Sequence, residues 1–290
     1  IGGGPAGLIA ADVLANTCEV HLYEQARTVG RKFLVAGEGG LNITNRVEGE
    51  EMLGQYAPKD RMRPILAAFG PAELRAWLAE LGVPTFIGSS GRVFPEKGIK
   101  PAEVLKAIVD RLTAKGVQLH VQHTFVGFDA VARPLVERNG QQVVIEAENY
   151  LFGLGGASWA KTGSTGDWTA YFQALGVRTI PFAASNCGVE LVMPEALRVH
   201  VGKPLKNIRI TAGDRSVRGE ATLTEHGLEG NAVYPVVPAI REALARGQEA
   251  TLIIDLKPDP TEAELERILA GAAWKERMAT VKLDRVQVAL

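Results

Sequence analysis

Residues 1–7 read Ile1-Gly2-Gly3-Gly4-Pro5-Ala6-Gly7, and the fold follows from the spacing of this run. Gly2, Gly4 and Gly7 make a G-x-G-x-x-G, a pattern that takes its meaning from its surroundings. Residues 5–15 (PAGLIAADVLA) read as a helix, with Pro5 near its first position. Residues 19–23 then read as a short strand running into Glu24, which lies 17 residues after Gly7. A glycine turn, a helix, and an acid about 20 residues on form the layout of a dinucleotide-binding unit. Gly2 permits the tight turn, Gly4 lets backbone approach a pyrophosphate, and Gly7 lets the helix pack on the strand. The helix start at Pro5 and Ala6 offers unpaired N–H groups and a partial positive charge to phosphates. Glu24 is the acceptor for ribose hydroxyls. The structural alternative is an ordinary loop followed by a solvated glutamate.

Composition narrows the setting. The chain has 290 residues, with 32 Lys+Arg against 33 Asp+Glu and a net charge of −1. That balance gives no global reason to seek nucleic acid or an anionic membrane. No apolar run approaches the roughly 18 residues of a membrane span. The 46% hydrophobic content is that of a globular protein, and the length suggests two domains. Cys18 and Cys187 are far apart, so neither a disulfide framework nor a cysteine metal site is expected, and no metal ligand set is assigned. A reduced, cytoplasmic setting fits.

A second glycine cluster spans residues 30–45 (GRKFLVAGEGGLNITN). Arg31 and Lys32 can pair with phosphate. Gly37, Gly39 and Gly40 make a loop suited to close approach, and Asn42, Thr44 and Asn45 supply neutral donors and acceptors. Farther on, Leu74, Trp77, Leu78 and Leu81 form a helical stripe over 71–81, with Trp77 in the core. Val104, Leu105, Ile108, Val109 and Leu112 form another over 101–115. Strands are expected at about 117–122 and 124–128, with His120 and His123 on opposite faces and therefore unable to share a metal. Asn139-Gly140 between two β-rich runs predicts a hairpin. A strand at 149–154 leads into Gly155-Gly156. Asp167 is expected to cap a helix at 168–175. The block Thr162–Asp167 lacks the Gly-Lys-Ser/Thr of a P-loop, so ATP binding is not expected. After residue 185 the chain turns β-rich, with strands expected at 206–212, 217–225, 232–237 and 251–256 and a bend at 224–227. A helix is expected at 238–246, and Thr261 with Glu264 makes a capping box opening a helix at 262–270.

Several of these blocks resemble one family. IGGGPAGLIAA (1–11), GRKFLVAGEGGLNITN (30–45), GRVFP (91–95), LFGLGGASWAKTGSTGDW (151–168), TEHGLEGNAVYP (224–235) and LIIDLKPD (252–259) are similar to the bacterial BaiN-like, or aminoacetone-oxidase-like, FAD-binding flavoproteins. The chain departs from the family at Gly40-Leu41-Asn42, where Gly-Arg-Cys-Asn is common, and at Trp168, where glycine is common. The resemblance implies an α/β, Rossmann-like FAD-binding domain at 1–185 with an inserted β-rich, barrel-like domain at 186–290. It implies that the chain lacks most of its first strand and the family's C-terminal return segment. A piece so shortened is expected to hold FAD weakly and to expose strand edges.

The resemblance also implies roles. Gly2, Gly4 and Gly7 would meet the FAD pyrophosphate, with Pro5 and Ala6 at the helix start, and Glu24 would meet the ribose. Arg31 and Lys32 would lie beside the adenosine half. Phe125 matches a position that contacts adenine through its backbone. Gly155 and Gly156 match the turn that returns the chain past the cofactor, and Asn42 and Thr44 match the loop near the isoalloxazine. The function implied is an FAD-dependent oxidoreductase that passes a hydride to or from a small molecule, with NAD(P)H as electron partner. The alternatives are an NAD(P)-only dehydrogenase using the same turn, a non-catalytic flavin-binding module and a tRNA-modifying flavoprotein. No catalytic acid or base is assigned, His226 being the candidate by residue type alone. Substrate and oligomeric state are left open.

Overall fold

The computed structural model describes residues 1–35, 40–89, 91–270 and 273–290. Gly37 and Gly39 of the second glycine cluster lie outside the described residues. Two compact units divide the chain at Phe182/Ala183.

The first unit begins with residues 1–3, then α1 (Pro5–Leu14), β1 (His21–Glu24) and α2 (Arg31–Val35). Next come β2 (Thr44–Asn45), α3 (Gly49–Leu53), α4 (Lys59–Ala68), α5 (Pro71–Glu80), β3 (Thr85–Ile87) and β4 (Arg92–Pro95). The unit continues with α6 (Pro101–Ala114), β5 (Gln118–Val121), β6 (Thr124–Phe128), β7 (Pro134–Arg138), β8 (Gln141–Val144) and α7 (Thr169–Ala174).

β1 and β5 pair in parallel, with Leu22 opposite Leu119. Backbone hydrogen bonds widen this pair. Gly2 N donates to Tyr23 O at 2.8 Å, the Ile1 nitrogen to Leu151 O at 2.7 Å, and Gly153 N to Ile1 O at 2.7 Å. The layer thus runs from 151–153 through 1–3 and β1 to β5. The glycine-bearing segment is central, as in a doubly wound nucleotide-binding half. Burial explains the assembly. Leu8 and Ala11 of α1 and Val104, Ile108 and Leu112 of α6 enclose Leu22 in one apolar cluster. Trp77 packs against that cluster from α5, as the helical stripe predicts.

A polar clamp pins the same three helices. Asp12 of α1 is 3% exposed. It accepts from Trp77 Nε1 at 2.7 Å and Arg111 Nε at 2.8 Å, and pairs with Lys115 Nζ at 2.7 Å. Burial alone would raise its pKa. The hydrogen bonds from Lys115, Trp77 and Arg111 outweigh that and hold the carboxyl below its usual range.

Two small antiparallel sheets complete the unit, β2-β4-β3 and β6-β7-β8. The β7–β8 hairpin turns on Asn139 (φ 52°) and Gly140 (φ 78°), both in the left-handed region that a two-residue turn of this kind demands. Residues 149–154, expected as a strand, form no regular strand; 151–153 join the layer through the two backbone bonds to Ile1. Arg31 and Lys32 open the short helix α2. His120 and His123 do not point apart. Gln122 between them adopts φ 60°, which breaks strand alternation, and their rings lie 5.8 Å apart edge to face. Asp167 does not cap α7; its carboxylate accepts from Thr165 Oγ1 at 2.7 Å, and Trp168 occupies the cap position.

The second unit contains β9 (Val189–Glu190), α8 (Glu195–Arg198), β10 (Pro204–Ala212), β11 (Arg215–Leu223) and β12 (Gly227–Glu229). It ends with α9 (Val237–Ala245), β13 (Ile253–Asp255), α10 (Glu262–Leu269), α11 (Trp274–Thr280) and α12 (Arg285–Ala289). Its sheet runs β13-β10-β11-β12-β9 and is antiparallel throughout, with β13 and β9 at its edges. Leu205, Ile208 and Ile210 of β10 and Leu223 of β11 are fully buried on one face. Thr224 N donates to Gly227 O at 2.8 Å and closes the bend into β12. Thr261 and Glu264 form their reciprocal capping box at the start of α10. Residues 232–237, expected as a strand, instead form a buried turn with a 3₁₀ segment at Tyr234–Val236.

Candidate functional site

The site is built on the first turn. Gly2 adopts φ 104°, and a Cβ there would sit 2.3 Å from Gly153 O. At Gly7 a Cβ would sit 1.9 Å from Gly2 O. Both positions are closed to any side chain. Gly4 differs: its φ of −78° and ψ of 178° suit any residue, and among the described residues a Cβ there would meet nothing within 4 Å. Its glycine leaves room for something that is not protein. α1 begins directly after Gly4 with no side-chain cap, and Pro5 has no N–H to satisfy. Free amides and an open approach at a helix start form a ready anion cradle.

Glu24 stands beside that cradle. Its Oε2 accepts from Gly3 N and its Oε1 from Ala26 N, each at 2.8 Å. The two bonds fix the carboxylate and leave each oxygen a further lone pair for a ribose hydroxyl. Gly3, which the spacing pattern leaves free, is needed here too: a Cβ would lie 2.9 Å from that Oε2. Three consecutive glycines were the available signal.

A cavity of about 560 Å³ opens above the turn. Of the residues singled out from sequence, Gly2, Gly4, Pro5 and Ala6 line it, as do Glu24, Arg31 and Lys32. Phe125 and Gly155 line it as well. Gly7 lies behind the turn and serves packing. Gly156, Asn42 and Thr44 are not among the lining residues, and Thr44 pairs with Val93 in the β2–β4 ladder. Arg31 and Lys32 do more than face the cavity. The Arg31 guanidinium donates to Lys161 O at 3.4 Å and Lys32 Nζ to Ser158 O at 2.5 Å, tying α2 to the loop before α7.

Phe125 is buried and meets Phe128, Phe152, Tyr171 and Phe172 edge-on or tilted at 5.3–6.3 Å between ring centroids. This aromatic wall is a rigid, apolar side for a flat ring. Tyr23 and His123 line the cavity near Glu24. Tyr23 stacks on His120 at 4.5 Å, and His120 Nε2 lies 3.0 Å from His21 Nδ1. Burial first, then the charges of His21, His123 and Arg138, lowers the His120 pKa and keeps it neutral near pH 7. Burial likewise raises the Tyr23 phenol. Sequence reasoning assigned no role to Tyr23, His123, Ser164, Trp168 or Tyr171. Only the fold brings them to the cavity.

The residues therefore fit a nucleotide diphosphate. An anion cradle, a fixed acceptor and an apolar wall share one cavity with Ser164, whose buried hydroxyl has no partner among the described residues.

Residues 1–235 match the model of the HI0933-like protein Rossmann domain. A 3-dehydro-bile acid delta(4,6)-reductase from Clostridium scindens is 24% identical over 284 residues, covering 92% of this chain and 66% of that protein. A ribosomal RNA dihydrouridine synthase from Haemophilus influenzae is 28% identical over 243 residues, covering 81% of this chain and 59% of that protein. The chain thus spans less than two thirds of the length of either relative. Among solved structures, a 3-ketosteroid-delta4-(5alpha)-dehydrogenase from Rhodococcus jostii shares 16% identity at a TM-score of 0.34, over 50% of this chain and 42% of that one.

Proposed function

The chain belongs to the HI0933-like family through its Rossmann domain, and on that premise we propose that it forms the cofactor-binding part of an FAD-dependent oxidoreductase. The observation that carries this reading is the Gly2–Gly7 turn, whose glycines are closed to a Cβ at Gly2, Gly3 and Gly7 and, among the described residues, open at Gly4, with Glu24 fixed beside it. FAD is the cofactor, and when bound it supplies hydride transfer.

The chain's own residues do the holding. The amides at the start of α1 receive the pyrophosphate. Glu24 orients the ribose, and Arg31 and Lys32 lend positive charge to the same side. Phe125 and its aromatic neighbours exclude water from one wall. Asn42 and Thr44 we assign to the region of the flavin ring, and Gly156 to the turn that passes the cofactor. The second unit we assign as an insertion into the flavin domain.

The reaction we propose is reduction of a conjugated carbon–carbon double bond in a small molecule, with NAD(P)H as electron donor. Both curated relatives carry names for products richer in hydrogen, a reduced bile acid and dihydrouridine. A nucleic-acid substrate is the second reading, favoured by the ribosomal RNA relative. The net charge of −1 supplies no basic footprint for it. A cytoplasmic setting is consistent with the free thiols of Cys18 and Cys187. Among the described residues no helix is long and apolar enough to cross a membrane.

The test is anaerobic reduction of the flavin-loaded full-length protein by NADH or NADPH, followed by reoxidation with an enone or with ribosomal RNA. Bleaching by a nicotinamide and recovery with the enone supports the proposal. Recovery with RNA alone moves the assignment to the second reading.

A further inference from the structure

We propose that Ser164 donates a hydrogen bond to the adenosine diphosphate half of the cofactor, an inference that rests on the FAD reading above. Ser164 Oγ is buried and has no hydrogen-bond partner among the described residues, and Ser164 is one of the residues that line the cavity. Buried hydroxyls without partners are rare because they lose water and gain nothing. Its missing partner therefore belongs to the occupant of the cavity.

The surrounding loop is held in place from three sides. Trp168 Nε1 donates to Gly155 O at 3.1 Å, Lys32 Nζ to Ser158 O at 2.5 Å, and the Arg31 guanidinium to Lys161 O at 3.4 Å. Gly155, at φ 78°, lets Ser164 come close: a Cβ there would lie 3.2 Å from Ser164 Cβ and 3.4 Å from its Oγ. This gives Gly155 a definite task, which is to admit the serine.

The adjoining residue fixes the end of the cofactor involved. A Cβ at Gly163 would lie 3.4 Å from Gln25 Nε2, and Gln25 directly follows Glu24. Ser164 thus stands on the ribose-acceptor side of the cavity, beside the cations on α2. A hydroxyl there can donate to a phosphate or ribose oxygen.

The experiment is Ser164→Ala in the full-length protein freed of flavin, titrated with FAD, ADP and FMN, with melting of the cofactor-free form measured in parallel. Removing a buried hydroxyl with no partner among the described residues should leave that melting temperature unchanged or raise it. FAD and ADP should each bind about tenfold more weakly, the cost of one hydrogen bond to a charged or polar ligand group. FMN binding should not change. FAD affinity equal to wild type, or a loss for FAD with none for ADP, overturns the proposal. So does a lowered melting temperature with unchanged affinities. Failure of the wild-type protein to bind FAD is a separate result and overturns the flavin reading itself.

Discussion

Gly4→Ala isolates the cofactor from the fold. The backbone at Gly4 (φ −78°, ψ 178°) accepts alanine without strain, and the new methyl meets no atom of the described residues within 4 Å. The change weakens the N-cap of α1 by at most about 1 kcal/mol, since glycine is the better cap, so melting should fall by no more than about 4 °C. The methyl projects into the cavity where the pyrophosphate approaches. Displacing that group by a methyl's width breaks at least one charge-assisted hydrogen bond, about 1.5–3 kcal/mol. At about 1.4 kcal/mol per tenfold, FAD affinity should fall about 10- to 150-fold. Flavin fluorescence titration of the cofactor-free protein, alongside thermal melting, reads both quantities. Wild-type FAD affinity in Gly4→Ala would refute the placement of the pyrophosphate at this turn.

Gly7→Ala should behave oppositely: with a Cβ 1.9 Å from Gly2 O the turn cannot close, so the cofactor-free protein should melt well below wild type or fail to fold, as thermal melting will show. Glu24→Gln places an amide NH₂ against the N–H of Gly3 or Ala26, and calorimetry should find FAD binding at least about tenfold weaker with some loss of stability. Asp12→Ala leaves Arg111 and Lys115 without their buried partner, and urea unfolding should show a loss of about 3–5 kcal/mol at neutral pH. Because the folded Asp12 pKa is lowered, this contribution is complete above the unfolded value of about 3.9 and is lost as pH falls through the folded value. The gap between wild type and variant should therefore narrow in acid; a gap that widens below about pH 4 would contradict the sign.

The parts of the molecule legible in the sequence are those where one residue type reports a hard constraint. Gly2 and Gly7 have no room for a side chain, Asn139-Gly140 supplies two left-handed residues, and the α6 stripe repeats at helical spacing. Periodicity fails where elements are short or mixed. α2 has five residues and opens on two cations that resemble a phosphate loop, and α4 carries Pro64 inside it. Residues 232–237 form an apolar run that suits a buried strand or a buried turn equally, and Pro235 takes it to the turn. Alternation misled at His120 and His123 because a single left-handed residue, Gln122, resets it. The walls of the site, Tyr23, Ser164 and Trp168, come from segments far apart in sequence. Only the parallel pairing of 1–3 with β1 and with 151–153 brings them together.

The most direct test of the central claim is the visible absorption spectrum of the purified full-length protein, with the released chromophore identified after denaturation. The expected result is a two-band flavin spectrum and FAD, at one per chain, retained or taken up on addition. A colourless protein that takes up no added FAD would contradict it and return the glycine turn to a structural loop or a nicotinamide site.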